Sequence, residues 1–317
     1  MLKLKCEPQK RMQSESKIGI LYVVGTPIGN LEDITFRAVR ILQTVDLIAA
    51  EDTRHTGKLL QHFQITTPQL SYHDHNRHSR IPELLEQLQL GKQIALVTDA
   101  GIPGISDPGY ELVKACIEAE ILVVPIPGAS AVITALSAAG LPTEQFVFAG
   151  FLPVKGKERQ QRLVELQIEA RTIILYEAPH RLRQTLQDLL IILGQARQIV
   201  LARELTKLHE EFWRGSIADA IAHYTTRQPQ GEYTLVIAGI SPSKFELTTA
   251  EIKAELQQLD TIETQLAQIA EQHQRDLRLY QQNPGNFSRI FPPNPGSHCR
   301  YCPFYKICDF SGFKPSK

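Results

Sequence analysis

Apolar residues along the chain fall in short runs, separated by longer amphipathic stretches and by loops rich in glycine and proline. The first run, 18–24, stops at GTPIGN over 25–30, which predicts a buried strand emptying into a tight loop. Acidic residues at 32 and 33 then open a helix reaching 43. The pattern repeats: strand 46–50 followed by EDTRH, helix 56–63, strand 69–72 followed by HDHNR, helix 81–90 and strand 93–98. The loop DAGIPGISDPG over 99–109, helix 110–119 and strand 122–125 complete this unit. Strands alternating with helices predict a mainly parallel sheet covered by helices.

A second unit starts near Pro127 and Gly128. It is expected to hold helix 130–139, strand 146–149, a basic segment 155–162 followed by a helix to about 168, strand 172–176 and helix 182–193. Strands 199–203 and 211–214, a further helix and strand 233–238 close it. Beyond the SPS at 241–243 the chain turns rich in Gln, Glu and Leu at helical spacing over 249–280, and NPG at 283–285 breaks the pattern. The expected organisation is a flexible leader 1–17, an N-terminal α/β domain 18–127, a C-terminal α/β domain 128–240 and a helical tail 241–317.

Composition narrows the reading. With 34 basic and 34 acidic residues among 317, bulk charge cannot drive nucleic-acid binding, so any affinity must come from local clustering. No apolar run approaches the roughly 18 residues that span a bilayer, and the polar N-terminus has no signal-peptide core. The expected location is the cytoplasm, with no membrane partner. Five cysteines, three of them within 299–317, make no paired disulfide framework. Cys6 reads as a leader thiol and Cys116 as a helix packing residue.

Three loops follow predicted parallel strands, where ligands collect in open α/β sheets. In the first, Pro27, Gly29 and Asn30 let the backbone approach a ligand closely. In the third, Gly101, Ile105, Ser106 and Asp107 do the same, and Asp99 suits the hydroxyls or cationic end of a nucleoside-like cofactor. Between them, Glu51, Asp52, His55, His73 and His75 form polar clusters just after strands. Each has an ordinary alternative, a helix cap or a surface hydrogen bond. The chain has no G-x-G-x-x-G after its first strand, no P-loop spacing at 55–59 and no second zincin histidine at 213.

These motifs, in order, carry a resemblance. VVGTPIGNLEDIT over 23–35, AAEDTRH over 49–55, SYHDHN over 71–76, TDAG over 98–101 and ISDPG over 105–109 resemble the 16S ribosomal RNA (cytidine-2′-O-)-methyltransferases, a branch of the tetrapyrrole methylase superfamily. PG at 127–128, YEAPHR over 176–181, ARELTK over 202–207 and GE at 231–232 continue the series, so the likeness covers 18–239. It implies a two-domain α/β fold with S-adenosylmethionine between the domains, a homodimer, and methylation of the ribose 2′-hydroxyl of a P-site cytidine in 16S rRNA within the small ribosomal subunit. Gly128 and Tyr176 join the expected cofactor set. Small departures are Gly25 where the family usually has alanine, Ile102 and Gly104 for threonine and leucine, and Ala129 for proline. The first loop lacks the extra glycines and Asp-Pro of the tetrapyrrole-precursor methylases, which remain an alternative beside a non-catalytic RNA-binding or ribosome-assembly protein.

A 2′-hydroxyl is a poor nucleophile until its proton has an acceptor. Glu51 or Asp52 is the expected acceptor, with Arg54 and Asn76 positioning ribose or phosphate. Phosphate contacts need lysine and arginine, and 151–183 carries seven basic against four acidic residues. Lys155, Lys157, Arg159, Arg162 and Arg181, with Lys207, are therefore expected on an RNA-facing edge; a solvated helix face is the ordinary alternative. Tyr176 and Trp213 read as packing residues rather than base-stacking platforms. The tail CRYCPFYKIC places Cys299, Cys302 and Cys308 at a C-x2-C-x5-C spacing that suits zinc or an iron–sulfur cluster. It resembles the cluster-binding end of RecB-like PD-(D/E)XK nucleases, but no nuclease core accompanies it.

Overall fold

The structure, a computed structural model, describes residues 18–240 and helical residues scattered between 257 and 282. The leader and the tail cysteines Cys299, Cys302 and Cys308 lie outside the described residues, so the expected metal or cluster is outside them too. Residues 18–240 lie within one compact unit and the scattered helical residues within a second. In the second, Leu266 and Ile269 are exposed and Arg275 faces Glu271.

The first sheet has β1 (Ile20–Val24), β2 (Leu47–Ala50), β3 (Gln69–Ser71), β4 (Ile94–Val97) and β5 (Leu122–Ile126). Their order is β3-β2-β4-β1-β5 and every pairing is parallel, as the alternation predicts. Period-two side-chain direction splits each buried strand between two faces. Val24, Ile48, Ala50, Ala95 and Val97 pack on α1 (Phe36–Thr44) and α2 (Thr53–His62). Leu21, Ala49, Ile94 and Leu96 pack on α3 (Arg77–Gln89) and α4 (Tyr110–Glu118), where Cys116 is fully buried. Cys116 is thus the packing residue expected, and burial alone pushes its thiol up to about 11.

Caps correct several predicted helix starts. Residues 31–33 form a single 3-10 turn, and α1 begins only after Thr35, whose hydroxyl accepts from the Ala38 N–H at 3.1 Å. Such a cap contributes about 1 kcal/mol. Asp52 caps α2, so that helix starts at Thr53 rather than 56. Helix α3 starts at Arg77 rather than 81, directly after the turn held by Asn76.

The second sheet has β6 (Phe146–Phe151), β7 (Thr172–Glu177), β8 (Gln198–Arg203), β9 (Glu211–Ser216) and β10 (Tyr233–Ile237), in the order β6-β7-β10-β8-β9. It is mixed, with only β6 and β7 parallel. One face packs on α6 (Gly156–Gln167), α7 (Pro179–Leu193) and α8 (Ile217–Thr226), and Trp213 packs beside that core as expected. The other face takes α5 (Ala131–Ala139) together with Ile28 from the loop after β1. That single isoleucine ties the first sheet's loop into the second sheet's core. No helix among the described residues is long and apolar enough to cross a membrane.

Candidate active site

Strands β2 and β4 run side by side, with Ala50 opposite Val97. Their exits therefore place Glu51–Asp52 beside Thr98–Asp99, and the two pairs clasp. Glu51 Oε2 accepts from the Thr98 hydroxyl at 2.5 Å and from the Asp99 N–H at 3.3 Å. In return Asp99 Oδ1 accepts from the Asp52 N–H at 3.2 Å. Thr98 is 2% exposed, so the group orienting Glu51 is itself locked. Within the motif TDAG over 98–101 Thr98 has no assigned role from sequence, because only the β2–β4 pairing gives it Glu51 as a partner.

Asp52 serves differently. It caps α2 and holds Arg54 through contacts of 3.1 and 2.7 Å. The Arg54 guanidinium keeps its carboxyl well below the usual range, which makes Asp52 a poor proton acceptor. Of the two expected acceptors, Glu51 is held by Thr98 and the Asp99 N–H and not by a guanidinium. His55 and His75 are exposed. His73 accepts at Nε2 from Asn76, and its Nδ1 is buried without a hydrogen-bond partner. Asn76 accepts from the His73 N–H at 2.9 Å and donates to the Ser71 carbonyl at 3.1 Å, so it holds a turn and does not reach outward to ribose or phosphate.

Asp107 sits beside this clasp, with its carboxyl in hydrogen-bond contact with the Thr98 side chain. Burial, then the charge of Glu51, push its carboxyl up to about 6, and Asp99 is raised for the same two reasons. Because the folded pKa of Asp107 exceeds its unfolded value, its contribution to stability is full below about pH 4 and is lost as pH rises through about 6. After discounting for solvent, Asp107→Asn is expected to raise Tm at pH 8 by about 2–4 °C and to give no gain at pH 4. Equal shifts at both pH values would exclude charge as the cause.

The glycine loops close around these carboxylates. Thr26 and Gly101 exchange backbone hydrogen bonds of 2.9 and 3.2 Å. Gly25 and Gly128 pack backbone to backbone, and a side chain on Gly128 would meet Gly25 atoms at 2.7 Å. Glycine at 25, where the resembled family usually has alanine, fits that contact. Pro27 is half-buried, while Gly29, Asn30 and Ile105 are exposed at the rim. Ser106 has a left-handed backbone at φ 62, a strained value for a non-glycine residue. Its hydroxyl sits beside Gly150 of β6, within 3.5 Å of where a Gly150 Cβ would lie. Tyr176, half-buried against Phe148 and Phe151, points its hydroxyl at the Val132 N–H in the first turn of α5. Burial and the charge of Asp107 push that phenol up to about 12.

The expected RNA-facing set divides. Lys155 and Lys157 are exposed, Arg162 is half-exposed beside Glu165, and Arg54 is 89% exposed despite its pairing with Asp52. Arg159 is corrected: it is 7% exposed and bound to Asp188, the Pro153 carbonyl and the Thr185 hydroxyl. Buried and bound to those inward partners, the guanidinium is not presented to a phosphate at the surface. Arg181 is corrected likewise, since it donates to the Leu152 carbonyl and pairs with the buried Glu177. The signal for Arg159 was present, because 159, 163 and 166 share the buried stripe of α6. Lys207 is held between Glu204 at 2.9 Å and Glu232 at 2.8 Å. Among the described residues no cluster of His, Cys, Asp and Glu suits a metal ion.

Two α/β sheets, joined through loops over a carboxylate-lined mouth, define the class: a methylase fold. Residues 20–221 match the Tetrapyrrole (Corrin/Porphyrin) Methylases, and the chain belongs to that family. It is 68% identical over 225 residues to the ribosomal RNA small subunit methyltransferase I of Synechocystis sp., a match covering 71% of this chain and 81% of that protein. The protein of the same name from Escherichia coli O157:H7 is 48% identical over 256 residues, covering 78% and 90%. Among solved structures, uroporphyrin-III-C-methyltransferase from Thermus thermophilus superposes with a TM-score of 0.51 at 21% identity, covering 69% of this chain and 94% of that one. That likeness bears on the fold alone.

Proposed function

We propose that this protein transfers the methyl group of S-adenosylmethionine to the ribose 2′-hydroxyl of a P-site cytidine in 16S rRNA, acting on the small ribosomal subunit in the cytoplasm as a homodimer. The ribosomal substrate follows the relatives, which match at 48–68% identity over at least 80% of their length in the comparisons above. The observation that carries the chemistry is Glu51, a carboxylate held at Oε2 by two hydrogen bonds beside Asp99 at the adjacent exits of β2 and β4.

The residues present fit the cofactor. Asp99 and Asp107 are both raised by burial and by the charge of Glu51, so the mouth holds more negative charge than it neutralises. A cationic ligand relieves that strain. S-adenosylmethionine supplies a methyl group already made electrophilic by its sulfonium. Asp99 and Asp107 would hold the cofactor's positive and hydroxyl-bearing parts, and the backbone at Gly101 and Gly128 would let it approach closely. Glu51 takes the 2′-hydroxyl proton as the oxygen attacks, and its hydrogen bonds keep it in place for that transfer.

Methyl transfer from labelled S-adenosylmethionine to unmodified small subunits, followed by nucleoside analysis, tests the proposal. Label in 2′-O-methylcytidine is expected; label in another nucleoside, or none, would overturn the stated acceptor. Lys155 and Lys157 are the exposed cations proposed to meet phosphate. Reversing both to Glu is expected to weaken RNA binding by about tenfold at low salt and to flatten its salt dependence, with cofactor binding kept. Equal loss of both affinities would point to misfolding.

A further inference from the structure

The segment 204–210 after β8 is built more rigidly than a connecting loop needs. Glu204 and Thr206 both have left-handed backbones, at φ 49 and 65. Neither is glycine, so the surrounding contacts must impose the conformation. Glu204 N–H donates to the Glu232 carbonyl at 2.9 Å, and Glu232 N–H donates to Glu204 Oε1 at 3.0 Å. Lys207 Nζ reaches both carboxylates, and Glu210 accepts from the Thr206 N–H at 2.6 Å. Gly231 lies so close to Glu204 that a side chain there would meet Glu204 Cγ at 2.4 Å.

The face of this loop lies on Gly29. A Cβ at Gly29 would fall 2.4 Å from Lys207 Cγ, 2.8 Å from Thr206 Oγ1 and 3.1 Å from the Leu205 carbonyl. The Thr206 hydroxyl is buried there without a hydrogen-bond partner, a group held in place by its backbone and not by its own bonding. One residue earlier, Ile28 enters the second sheet's core. The loop after β1 is therefore clamped from the far sheet at two successive residues.

We propose that Lys207 is a positioning residue: fixed by Glu204 and Glu232, its aliphatic stem forms the floor against which Gly29 rests, and so sets the conformation of the cofactor loop 25–30. Its charge is used within the protein and does not serve RNA. Both neighbouring carboxylates favour the ammonium form against the cost of its burial, so the clamp stays charged through neutral pH. Movement of the loop by about 1 Å is enough to cost a large factor in ligand affinity or rate.

The inference rests on the cofactor reading above, and the test separates the two. Calorimetric binding of S-adenosylhomocysteine is measured on the full chain for wild type, Lys207→Met, Glu232→Gln, Gly29→Ala, Lys207→Ala and the Gly29→Ala/Lys207→Ala pair, with thermal melts to establish folding. Lys207→Met keeps the stem and loses the clamp, and Glu232→Gln, at an exposed carboxylate, removes half of it. Both are expected to weaken binding, by about tenfold and about threefold respectively. Gly29→Ala is expected to cost about tenfold or more against the intact stem and clearly less once Lys207 is Ala, a non-additive pair. Binding by wild type with no change in Lys207→Met and Glu232→Gln, or a Gly29→Ala penalty indifferent to residue 207, would overturn the inference. So would a Lys207→Met defect seen only as salt-dependent loss of RNA affinity. No binding by wild type would instead sink the cofactor reading.

Discussion

Glu51→Gln is expected to slow methyl transfer by about 10²–10⁴-fold, the range general-base catalysis contributes, while binding of S-adenosylhomocysteine is retained. The substitution is close to isosteric. The amide oxygen can still accept from the Thr98 hydroxyl and the Asp99 N–H, which now hold Glu51 Oε2. What the amide cannot do is take a proton at neutral pH. Asp52→Asn is the comparison, since Asp52 is bound to Arg54 and caps α2. Asparagine caps a helix about as well as aspartate, so Asp52→Asn removes the charge paired with Arg54 and is expected to leave both the helix start and the chemical step near wild type. Single-turnover rates with saturating cofactor read the difference. A full rate in the Gln variant would remove Glu51 from proton acceptance.

Arg159→Ala is expected to destabilise the fold by about 3–5 kcal/mol, the usual cost of removing one partner of a buried ion pair. The loss is not confined to Asp188, 2.7 Å away. Thr185 accepts from Arg159 and its own hydroxyl donates to the buried Glu177 at 2.5 Å. Glu177 also accepts from the Ala178 N–H and pairs with Arg181, which binds the Leu152 carbonyl. Arg159 is thus one end of a network joining α6, the start of α7 and the end of β6, and its removal leaves Asp188 and the Pro153 carbonyl without it. Urea denaturation at constant m-value gives the difference. Because the penalty is that of a stranded charge, Arg159→Met with Asp188→Leu is expected to recover most of it. An Arg159→Ala protein as stable as wild type, yet deficient in RNA binding, would return Arg159 to the phosphate-facing set.

The two networks differ in how far they could be read before any coordinates. Glu51 and Asp99 each stood after a predicted strand, and ligands gather at such exits, so both were visible as site residues. That Asp52 is tied up as a helix cap and by Arg54 while Glu51 is not was not visible. Adjacent carboxylates look alike in sequence, and the choice depends on which one the helix start consumes as its cap. In sequence Arg159 and Arg181 are indistinguishable from Lys155 and Lys157, because a basic run has no direction along the chain. Only the helical stripe shared with Leu163 and Leu166 distinguishes Arg159, and only Glu177, brought in by β7, explains Arg181.

The sequence by itself determined the alternation of strand and helix, the parallel character of the first sheet and the loops at its strand exits. These follow from local periodicity and from glycine and proline chemistry, which act over a few residues. Only the tertiary structure decided which polar groups meet. The clasp of Glu51 with Thr98 needs β2 beside β4, the close contact of Gly25 with Gly128 needs β1 beside β5, and the seat of Gly29 on Lys207 needs the second sheet. Such pairings span tens to more than a hundred residues, and burial of both sheets' faces, not any local preference, brings them together.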